Sequence, residues 1–211
     1  CLAAEYGPRN GSGTLPAADA VGLNAVRKWA EQTDRFIFVL LDGGFQWGLK
    51  QWGFQKFLTM VMQQSADVSD LLQHVETLNR QLTKRAADLG ADGVVIADDI
   101  AYQHGLLLPP NHLKERFFPS LARQTEMCHA AGLAVFFHSD GNLNAVLEDI
   151  AGCGFDGLQC IESAAGMDLA AIKADYGHRL CFWGNLDPAC LAEDLSAETI
   201  DARVEAVLAS G

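Results

Sequence analysis

The stretch AGLAVFFHSDG, residues 131–141, carries the pattern that decides the fold of this chain. Its early glycine is a residue that readily takes the left-handed conformation at which helices end. The apolar run LAVFF follows, and the chain then changes to a histidine, a serine, an aspartate and a glycine. This order predicts a helix end, a short buried strand and a polar loop at the carboxyl end of the strand.

The same plan recurs along the chain, and an earlier apolar strand precedes it. The related stretches are FIFVLLDGG (36–44), GADGVVIADD (90–99), CGFDGLQCIES (153–163) and YGHRLCFWGNLDP (176–188). Apolar residues at three-to-four spacing predict helices over residues 17–32, 67–89, 111–131, 142–152 and 167–176. The strands are apolar throughout, as expected when both faces of a sheet are covered. This alternation predicts a parallel α/β sheet.

A closed barrel is favoured over an open, doubly wound sheet. Polar residues follow nearly every strand, and a (β/α)8 TIM barrel gathers its active site at those strand ends. No GxGxxG or phosphate-binding loop follows any strand. Five strands are fewer than eight, so we expect an incomplete or truncated TIM barrel, with residues 1–211 forming a single domain. The chain begins at Cys1 and ends just after a helical pattern, which indicates a fragment of a longer polypeptide.

Composition and charge exclude several classes of partner. The 211 residues are 49% hydrophobic and carry a net charge of −12, with no basic run to meet phosphate or anionic lipid. Nucleic acid and membrane surfaces are therefore not expected as partners. The apolar runs are much shorter than the roughly 20 residues of a transmembrane helix, and no signal sequence opens the chain, so a cytoplasmic protein is predicted. Six scattered cysteines without a CxxC pair indicate mostly buried free thiols.

Polar side chains at the ends of the five strands are predicted to converge on one pocket. Taken singly, such residues are as often caps of the following helices, but recurrence after five strands favours a shared site. The residues at these strand ends are Asp42, Asp98, Asp99, His138, Asp140, Glu162, Asn185 and Asp187. Asp98, Asp99, His138, Asp140 and Glu162 are the candidate catalytic residues. Phe45, Trp47, Asn142, Asn185 and Asp187 are the candidate substrate-binding residues.

His138 and Asp140 are the candidate metal ligands. They are two residues apart, so their side chains point to the same face if the strand geometry continues. Imidazole nitrogen and carboxylate oxygen both suit zinc, which keeps an open position in catalytic sites. The alternative is that Asp140 only orients the histidine by a hydrogen bond.

Asp98 and Asp99 are adjacent, so they face opposite ways if the strand continues to them. One of them is expected to enter the pocket, while the other caps the next helix or bonds to the loop. Carboxylates this close to other acids can have a raised pKa and serve in proton transfer. A structural use is equally compatible with the sequence.

The aromatic segment GGFQWGLKQWGF, residues 43–54, follows the first of the five strands. Its glycines and aromatic residues are typical of a mobile wall over a flat or apolar ligand, to which Phe45 and Trp47 would contribute. Ordinary core packing by Trp47 and Trp52 is the alternative. The chain contains no GxSxG, HExxH or Walker motif, which excludes serine hydrolases, zincins and kinases.

The blocks GADGVVIADD, LLPPNHLKERFFPSL, FFHSDGN, GFDGLQCIES and FWGNLDP together resemble the uroporphyrinogen decarboxylase superfamily. This resemblance runs from about Phe36 to the end of the chain, and GNLDP is its clearest block. It implies a (β/α)8 barrel. The superfamily includes the decarboxylases of haem synthesis and zinc-dependent methyltransferases that take methyl groups from corrinoid proteins.

The resemblance implies roles for individual residues. Asp98 matches the aspartate of the decarboxylases' FDSWAG block, but Asp99 replaces its serine. His138 matches the zinc histidine of the methyltransferases' HxCGN block, Asp140 stands at its cysteine ligand, and Asn142 agrees with that block. The decarboxylases' arginine-rich first strand and the methyltransferases' last zinc cysteine fall outside this chain. These matches place the chain nearer to the corrinoid methyltransferase branch.

The function implied by this resemblance is zinc-assisted methyl transfer between a methylcorrinoid on a partner protein and a small acceptor or donor. Zinc and the methylcorrinoid are the expected cofactors. A small-molecule substrate, a corrinoid protein and a second copy of the chain in a homodimer are the expected partners. Two alternatives stay open, namely cofactor-free uroporphyrinogen decarboxylation with Asp98 lining the cleft, and a catalytically silent barrel that binds a ligand or a corrinoid protein.

Overall fold

Six parallel strands form one sheet in the computed structural model, which describes residues 2–3, 15–188 and 195–210. Their spatial order follows their order in the chain. The strands are β1 (Leu2–Ala3), β2 (Phe38–Asp42), β3 (Gly93–Ala97), β6 (Ala134–His138), β7 (Gly157–Gln159) and β8 (Cys181–Trp183). A separate antiparallel hairpin consists of β4 (Ala101–Tyr102) and β5 (Gly105–Leu106). The five strands expected from the sequence are all present, whereas β1 and the hairpin were not expected.

Helices follow most of the strands. They are α1 (Asn24–Gln32), α2 (Gly44–Trp52), α3 (Phe54–Met62), α4 (Ala66–Asp88), α5 (Pro110–Arg116), α6 (Phe118–Ala130), α7 (Leu147–Gly152), α8 (Leu169–Tyr176) and α9 (Ala197–Ser210). Short 3₁₀ turns occupy Ala18–Ala20, Asn144–Val146 and Ser163–Ala165. None of the helices in the described ranges combines the length and the apolar character that crossing a bilayer requires.

Two of the predicted helices are divided. The one expected over residues 111–131 is interrupted at Phe117, because Pro119 lacks a backbone N–H and suits the first turn of a new helix. The one expected over residues 17–32 consists of a 3₁₀ turn and the separate helix α1. The long helix α4 agrees closely with the expected range 67–89, and Ser65 caps its amino end by accepting a hydrogen bond from the Asp67 N–H.

The two faces of the sheet differ in what covers them. Val39 and Leu41 of β2 are fully buried in the hydrophobic core, while the alternating residues on the other face are half-buried. Aromatic side chains gather on that second face, where the Phe38 and Phe136 ring centroids lie 4.9 Å apart and those of Phe38 and Trp183 lie 5.7 Å apart. Gly157 makes room for them, since a Cβ there would lie 2.5 Å from the Phe136 ring.

This topology is that of an incomplete (β/α)8 barrel. A doubly wound sheet reverses its strand order at a switch point, whereas here each strand pairs in parallel with the next strand of the sheet along the chain. The second face is therefore the inner face of the barrel. Because parallel strands all end at the same edge, the polar residues after β2, β3, β6 and β7 lie together at one end of it.

Candidate functional site

Three side chains converge at the carboxyl end of the inner face: Asp99, His138 and Asp140. One potential ligand atom from each lies within 4.8 Å of the other two. The His138 Nε2 atom is 3.4 Å from the Asp99 Oδ1 atom. The imidazole and the Asp99 carboxylate are half-buried, and Asp140 is exposed. We call this group the Asp–His–Asp cluster.

Strand geometry explains why His138 belongs to this cluster. The preceding residue, Phe137, is fully buried among the helices, so alternation turns His138 to the inner face. His138 pairs in register with Ala97, which places Asp99, two residues further along, beside the imidazole. The Asp140 N–H donates a hydrogen bond of 3.2 Å to Asp99 Oδ1 and so joins the two loops.

A tight turn after Asp140 holds its loop in position. Gly141 has a φ of +89°, and a Cβ there would lie 2.6 Å from the Tyr102 backbone of the β4–β5 hairpin. The Asn142 N–H donates to the Tyr102 carbonyl oxygen at 3.0 Å. This glycine therefore allows the hairpin to pack directly against the cluster's loop.

Two glutamine side chains contact the cluster from opposite sides. The Gln159 Oε1 atom is hydrogen-bonded to His138 Nδ1, and these two residues are directly paired in the β6–β7 register. The Gln46 side-chain amide, on α2, donates to Asp99 Oδ2. Gln159 thus holds the edge of the imidazole that faces away from Asp99, and Gln46 holds the carboxylate oxygen that faces away from His138.

The charges of the cluster influence one another. Burial alone would raise the pKa of Asp99, but hydrogen bonds from His138, the Asp140 backbone and Gln46 outweigh it, so that pKa lies below its ordinary value. Burial alone would lower the pKa of His138, but its hydrogen bond and charge interaction with Asp99 outweigh burial and raise that pKa. The cluster therefore favours a protonated, positively charged imidazole beside an ionised Asp99.

Asp98 lies beneath the cluster rather than in it. Its side chain is 1% exposed, and it accepts hydrogen bonds from the backbone N–H groups of Phe45 and Gln46 (2.8 Å for Gln46) in the first turn of α2. Burial raises the pKa of Asp98 to about 7, and the charges of Asp42 and Asp99 act in the same direction. The cleft-lining role that the resemblance implied for Asp98 therefore does not fit its position, because the buried carboxylate is hydrogen-bonded to the amino end of α2.

Cys160 is a further neighbour of the cluster. It follows Gln159 with a φ of +71°, and its thiol lies close enough to Asp140 for that carboxylate to act on it. Burial, followed by the contact with Asp140, raises the pKa of this thiol to about 12. A cation bound next to Asp140 would instead lower the pKa of the Cys160 thiol.

The remaining polar residues predicted for the site are placed around it and hold its loops. Glu162 Oε2 accepts a hydrogen bond from the Gly141 N–H at 2.9 Å. The Asn142 amide donates to the Ala165 carbonyl oxygen at 2.8 Å. Asp42 forms an ion pair with Lys50 of α2.

Asn185 and Asp187 lie in the loop after β8. Asn185 has a φ of +70°, and its amide donates to the carbonyl oxygens of Ile161 at 3.1 Å and Met167 at 3.2 Å. Asp187 is half-buried. The Asn185 side chain is therefore committed to the loop that follows β7.

The aromatic segment over residues 43–54 is a regular helix, α2, instead of the mobile wall expected from the sequence. Phe45 is fully buried, with its ring centroid 5.1 Å from that of Phe57 and 5.4 Å from that of Phe117. Trp47 is also buried, and the Lys50 ammonium lies 5.4 Å from the centroid of its ring. Both aromatic residues therefore belong to the core that positions α2, which corrects their assignment as substrate contacts.

Three contributors to the site were missed at the sequence level: Gln46, Gln159 and Cys160. Gln159 carried a usable signal, since it stands one residue before the polar tip of its strand, as His138 does in β6. Gln46 stands in the segment 43–54, where the aromatic residues carry the stronger signal and the glutamine carries none of its own. Nothing in the sequence around Cys160 distinguishes it from the cysteines expected to be buried thiols.

A cavity of about 770 Å³ lies away from this cluster, between the segment Leu15–Ala18 and helix α4. Its walls carry Asp67, Asp70 and His74 along one side of α4. The strand ends contribute nothing to it, so the chemistry of the Asp–His–Asp cluster is independent of this cavity.

The family model of uroporphyrinogen decarboxylase (URO-D) matches residues 47–211. The match covers most of the chain, and the chain therefore belongs to the uroporphyrinogen decarboxylase family. A comparison with curated proteins gives no match.

A solved structure described as a methyltransferase from Methanosarcina mazei superposes with a TM-score of 0.76 at 21% sequence identity. The alignment covers 89% of this chain and 54% of that methyltransferase, so the chain spans about half of its length. A sugar phosphate isomerase/epimerase from Parabacteroides distasonis matches more weakly, with a TM-score of 0.46, 13% identity and coverage of 82% and 60%. The first similarity establishes the shared barrel fold.

Proposed function

We propose that this chain provides the metal-binding half of a methyltransferase that moves a methyl group between a methylcorrinoid on a partner protein and a small acceptor or donor. The observation that carries the proposal is the Asp–His–Asp cluster at the catalytic end of the barrel. The same proposal treats residues 1–211 as one barrel domain that can pair with a second copy.

The three side chains have the donor atoms that zinc accepts. An imidazole nitrogen and two carboxylate oxygens make three protein ligands, the number found in catalytic zinc sites that leave a position for substrate. Asp99, His138 and Asp140 would hold the ion. When bound, zinc would coordinate a thiol substrate and lower its pKa, so that the nucleophilic thiolate is present near neutral pH.

The protein's own groups prepare this position. Gln46 and the Asp140 N–H hold the Asp99 carboxylate, and its two oxygens cannot rotate without breaking one of these hydrogen bonds. Asp140 is exposed, so its carboxylate faces the side from which a substrate would approach. Together the two aspartates balance the charge of a divalent cation.

The three proposed zinc ligands also influence which methyl acceptor the site would favour. Carboxylate oxygens are harder donors than the thiolate expected at the position of Asp140, so the site does not select strongly for a thiol. A methoxylated compound or a methylated amine is therefore included among the candidate substrates.

Uroporphyrinogen decarboxylation receives less support from the geometry. That reaction takes a polyanionic substrate, whereas the described strand ends are rich in carboxylates and Lys50 is paired with Asp42. Asp98, which would have to line the cleft, is buried under α2.

The test begins with the metal content of purified protein, measured by mass spectrometry for the wild type, His138→Ala and His178→Ala. His178 is exposed in the loop before β8 and serves as the control histidine. We expect about one zinc per chain in the wild type and in His178→Ala, and none in His138→Ala. Equal metal content in all three proteins would contradict the assignment.

Methyl transfer is tested with methylcobalamin and a panel of small thiols, and in the reverse direction with methylated amines as donors and cob(I)alamin, generated by a chemical reductant, as the acceptor. Loss or gain of the methyl group changes the visible absorbance of the cobalamin, so turnover is followed directly. A zinc-loaded protein that transfers no methyl group in either direction would favour a silent binding barrel. Porphyrin binding by a metal-free protein would favour the decarboxylase alternative.

A further inference from the structure

We propose that Gln159 is the positioning residue of the cluster, because it draws the proton of the neutral His138 imidazole to Nδ1, against the competing Asp99 carboxylate, and so frees the Nε2 lone pair for a cation. The inference rests on the proposed metal site. It also makes a statement about the metal-free protein that can be tested separately.

The register of two strands brings Gln159 to the imidazole. Gln159 and His138 are direct partners in the parallel β6–β7 pair, and both end their strands. Leu158 and Phe137, the residues before them, are fully buried on the outer face. Both polar side chains therefore stand next to each other on the inner face, where Gln159 Oε1 meets His138 Nδ1.

The two ring nitrogens consequently have different surroundings. Nδ1 faces an amide oxygen, which can only accept a hydrogen bond. Nε2 faces the Asp99 carboxylate at 3.4 Å, within the Asp–His–Asp cluster. A neutral imidazole has one N–H, so Asp99 on the Nε2 side and Gln159 on the Nδ1 side compete for it, and a cation on Nε2 leaves it on Nδ1, facing Gln159.

A cation at the cluster strengthens this difference. A metal-bound histidine commonly donates its other N–H to an oxygen, which fixes both the tautomer and the ring orientation. Gln159 is the residue that supplies this oxygen here. Asp99 is held in a corresponding way by Gln46, so the amides leave the facing atoms of both ligands available.

The decisive variants are Gln159→Leu, which removes the acceptor, and Gln159→Glu, which retains one. The matched control is Gln103→Leu. Gln103 lies on the nearby β4–β5 hairpin, and its amide bonds at 3.4 Å to the Ala164 carbonyl oxygen instead of to a ligand. If Gln159→Leu does not fold, Gln159→Met replaces it, since that side chain has the length of glutamine and lacks the amide.

Two readouts are needed. Nitrogen-15 NMR of labelled histidine at pH 9 gives the tautomer of His138 in metal-free protein, with the signals assigned by their loss in His138→Ala. We expect a substantial Nδ1–H fraction in the wild type, in Gln103→Leu and in Gln159→Glu, and a shift to the Nε2–H form, which donates to Asp99, in Gln159→Leu. Zinc affinity, measured against a competing chelator, should fall about 10- to 100-fold in Gln159→Leu and less than about threefold in Gln159→Glu.

An unchanged tautomer and unchanged zinc affinity in a folded Gln159→Leu or Gln159→Met protein would overturn the proposal. A loss of affinity that Gln159→Glu fails to restore would also contradict it, because a carboxylate oxygen can accept the Nδ1–H as well. If the wild type binds no zinc, the proposed function fails. The tautomer in the metal-free protein then decides the role of Gln159 by itself.

Discussion

The Nε2 atom of His138 and the Oδ1 atom of Asp99 face each other at 3.4 Å, although His138 ends β6 and Asp99 follows β3. The opposite edge of the ring is held by Gln159, and the opposite oxygen of the carboxylate is held by Gln46. With Asp140 beside them, these atoms enclose a position with the donors of a divalent-cation site.

Replacing Asp99 by asparagine should weaken zinc binding by more than about tenfold, because the change removes one of the two negative charges that balance the ion. The affinity is measured by competition with a chromophoric chelator. Asp175→Asn, on the exposed side of α8, is the control and should bind zinc as the wild type does. Wild-type affinity in Asp99→Asn would exclude this carboxylate as a ligand.

Asp98 should make the stability of the metal-free protein depend on pH. Its pKa is about 7 in the folded chain against an ordinary value of 3.8, so the folded state binds the proton more tightly. The resulting stabilisation is complete below about pH 4 and is lost as the pH rises towards 7. The full difference corresponds to about 4 kcal/mol.

The variant Asp98→Asn isolates this effect, since an amide stays neutral and can still accept the Gln46 N–H. Urea unfolding of the chelator-treated protein at pH 5 and pH 8 gives the comparison. Relative to the wild type, Asp98→Asn should be more stable at pH 8 than at pH 5. A difference that is independent of pH, or that has the opposite sign, would contradict the raised pKa of Asp98.

Gly43→Ala should destabilise the fold by more than about 2 kcal/mol, since a Cβ at this position would lie 2.3 Å from the buried Asp98 carboxylate. The carboxylate would have to leave the amino end of α2. Gly152→Ala is the matched control, because a Cβ there would have no neighbour within 4 Å. Free energies of unfolding from urea titrations test the prediction, and equal stability of the two variants would contradict it.

Asn185 is predicted to act through the loop after β7. Asn185→Ala loses two hydrogen bonds to backbone carbonyls and places an alanine at a φ of +70°, so it should lose about 1–3 kcal/mol of stability. Asn185→Gly loses the same hydrogen bonds without the backbone strain, so its stability should lie between those of the wild type and Asn185→Ala. Thermal melts, with zinc content measured in parallel, distinguish a structural role in the loop from a direct role at the site. An unchanged melting temperature together with a raised KM would instead support a substrate contact.

Local patterns were sufficient to predict most of the barrel. The runs FVLL, VVI and AVFF are apolar on both faces, which identifies them as covered strands without knowledge of their neighbours. Strand β1 and the β4–β5 hairpin could not be found in this way, because each strand has only two residues and shows no periodicity. The break at Phe117 depended on a single proline inside an otherwise helical pattern.

The sequence by itself determined that strands alternate with helices, that polar residues stand at the strand ends, and that His138 and Asp140 share a side, because these properties follow from spacing along one strand. Only the tertiary structure decided that Asp99 joins them while Asp98 anchors α2, that Gln159 and Gln46 hold the ligands, and that Phe45 and Trp47 belong to the core. The physical reason is register, since a shift of one residue between neighbouring strands turns every side chain to the opposite face.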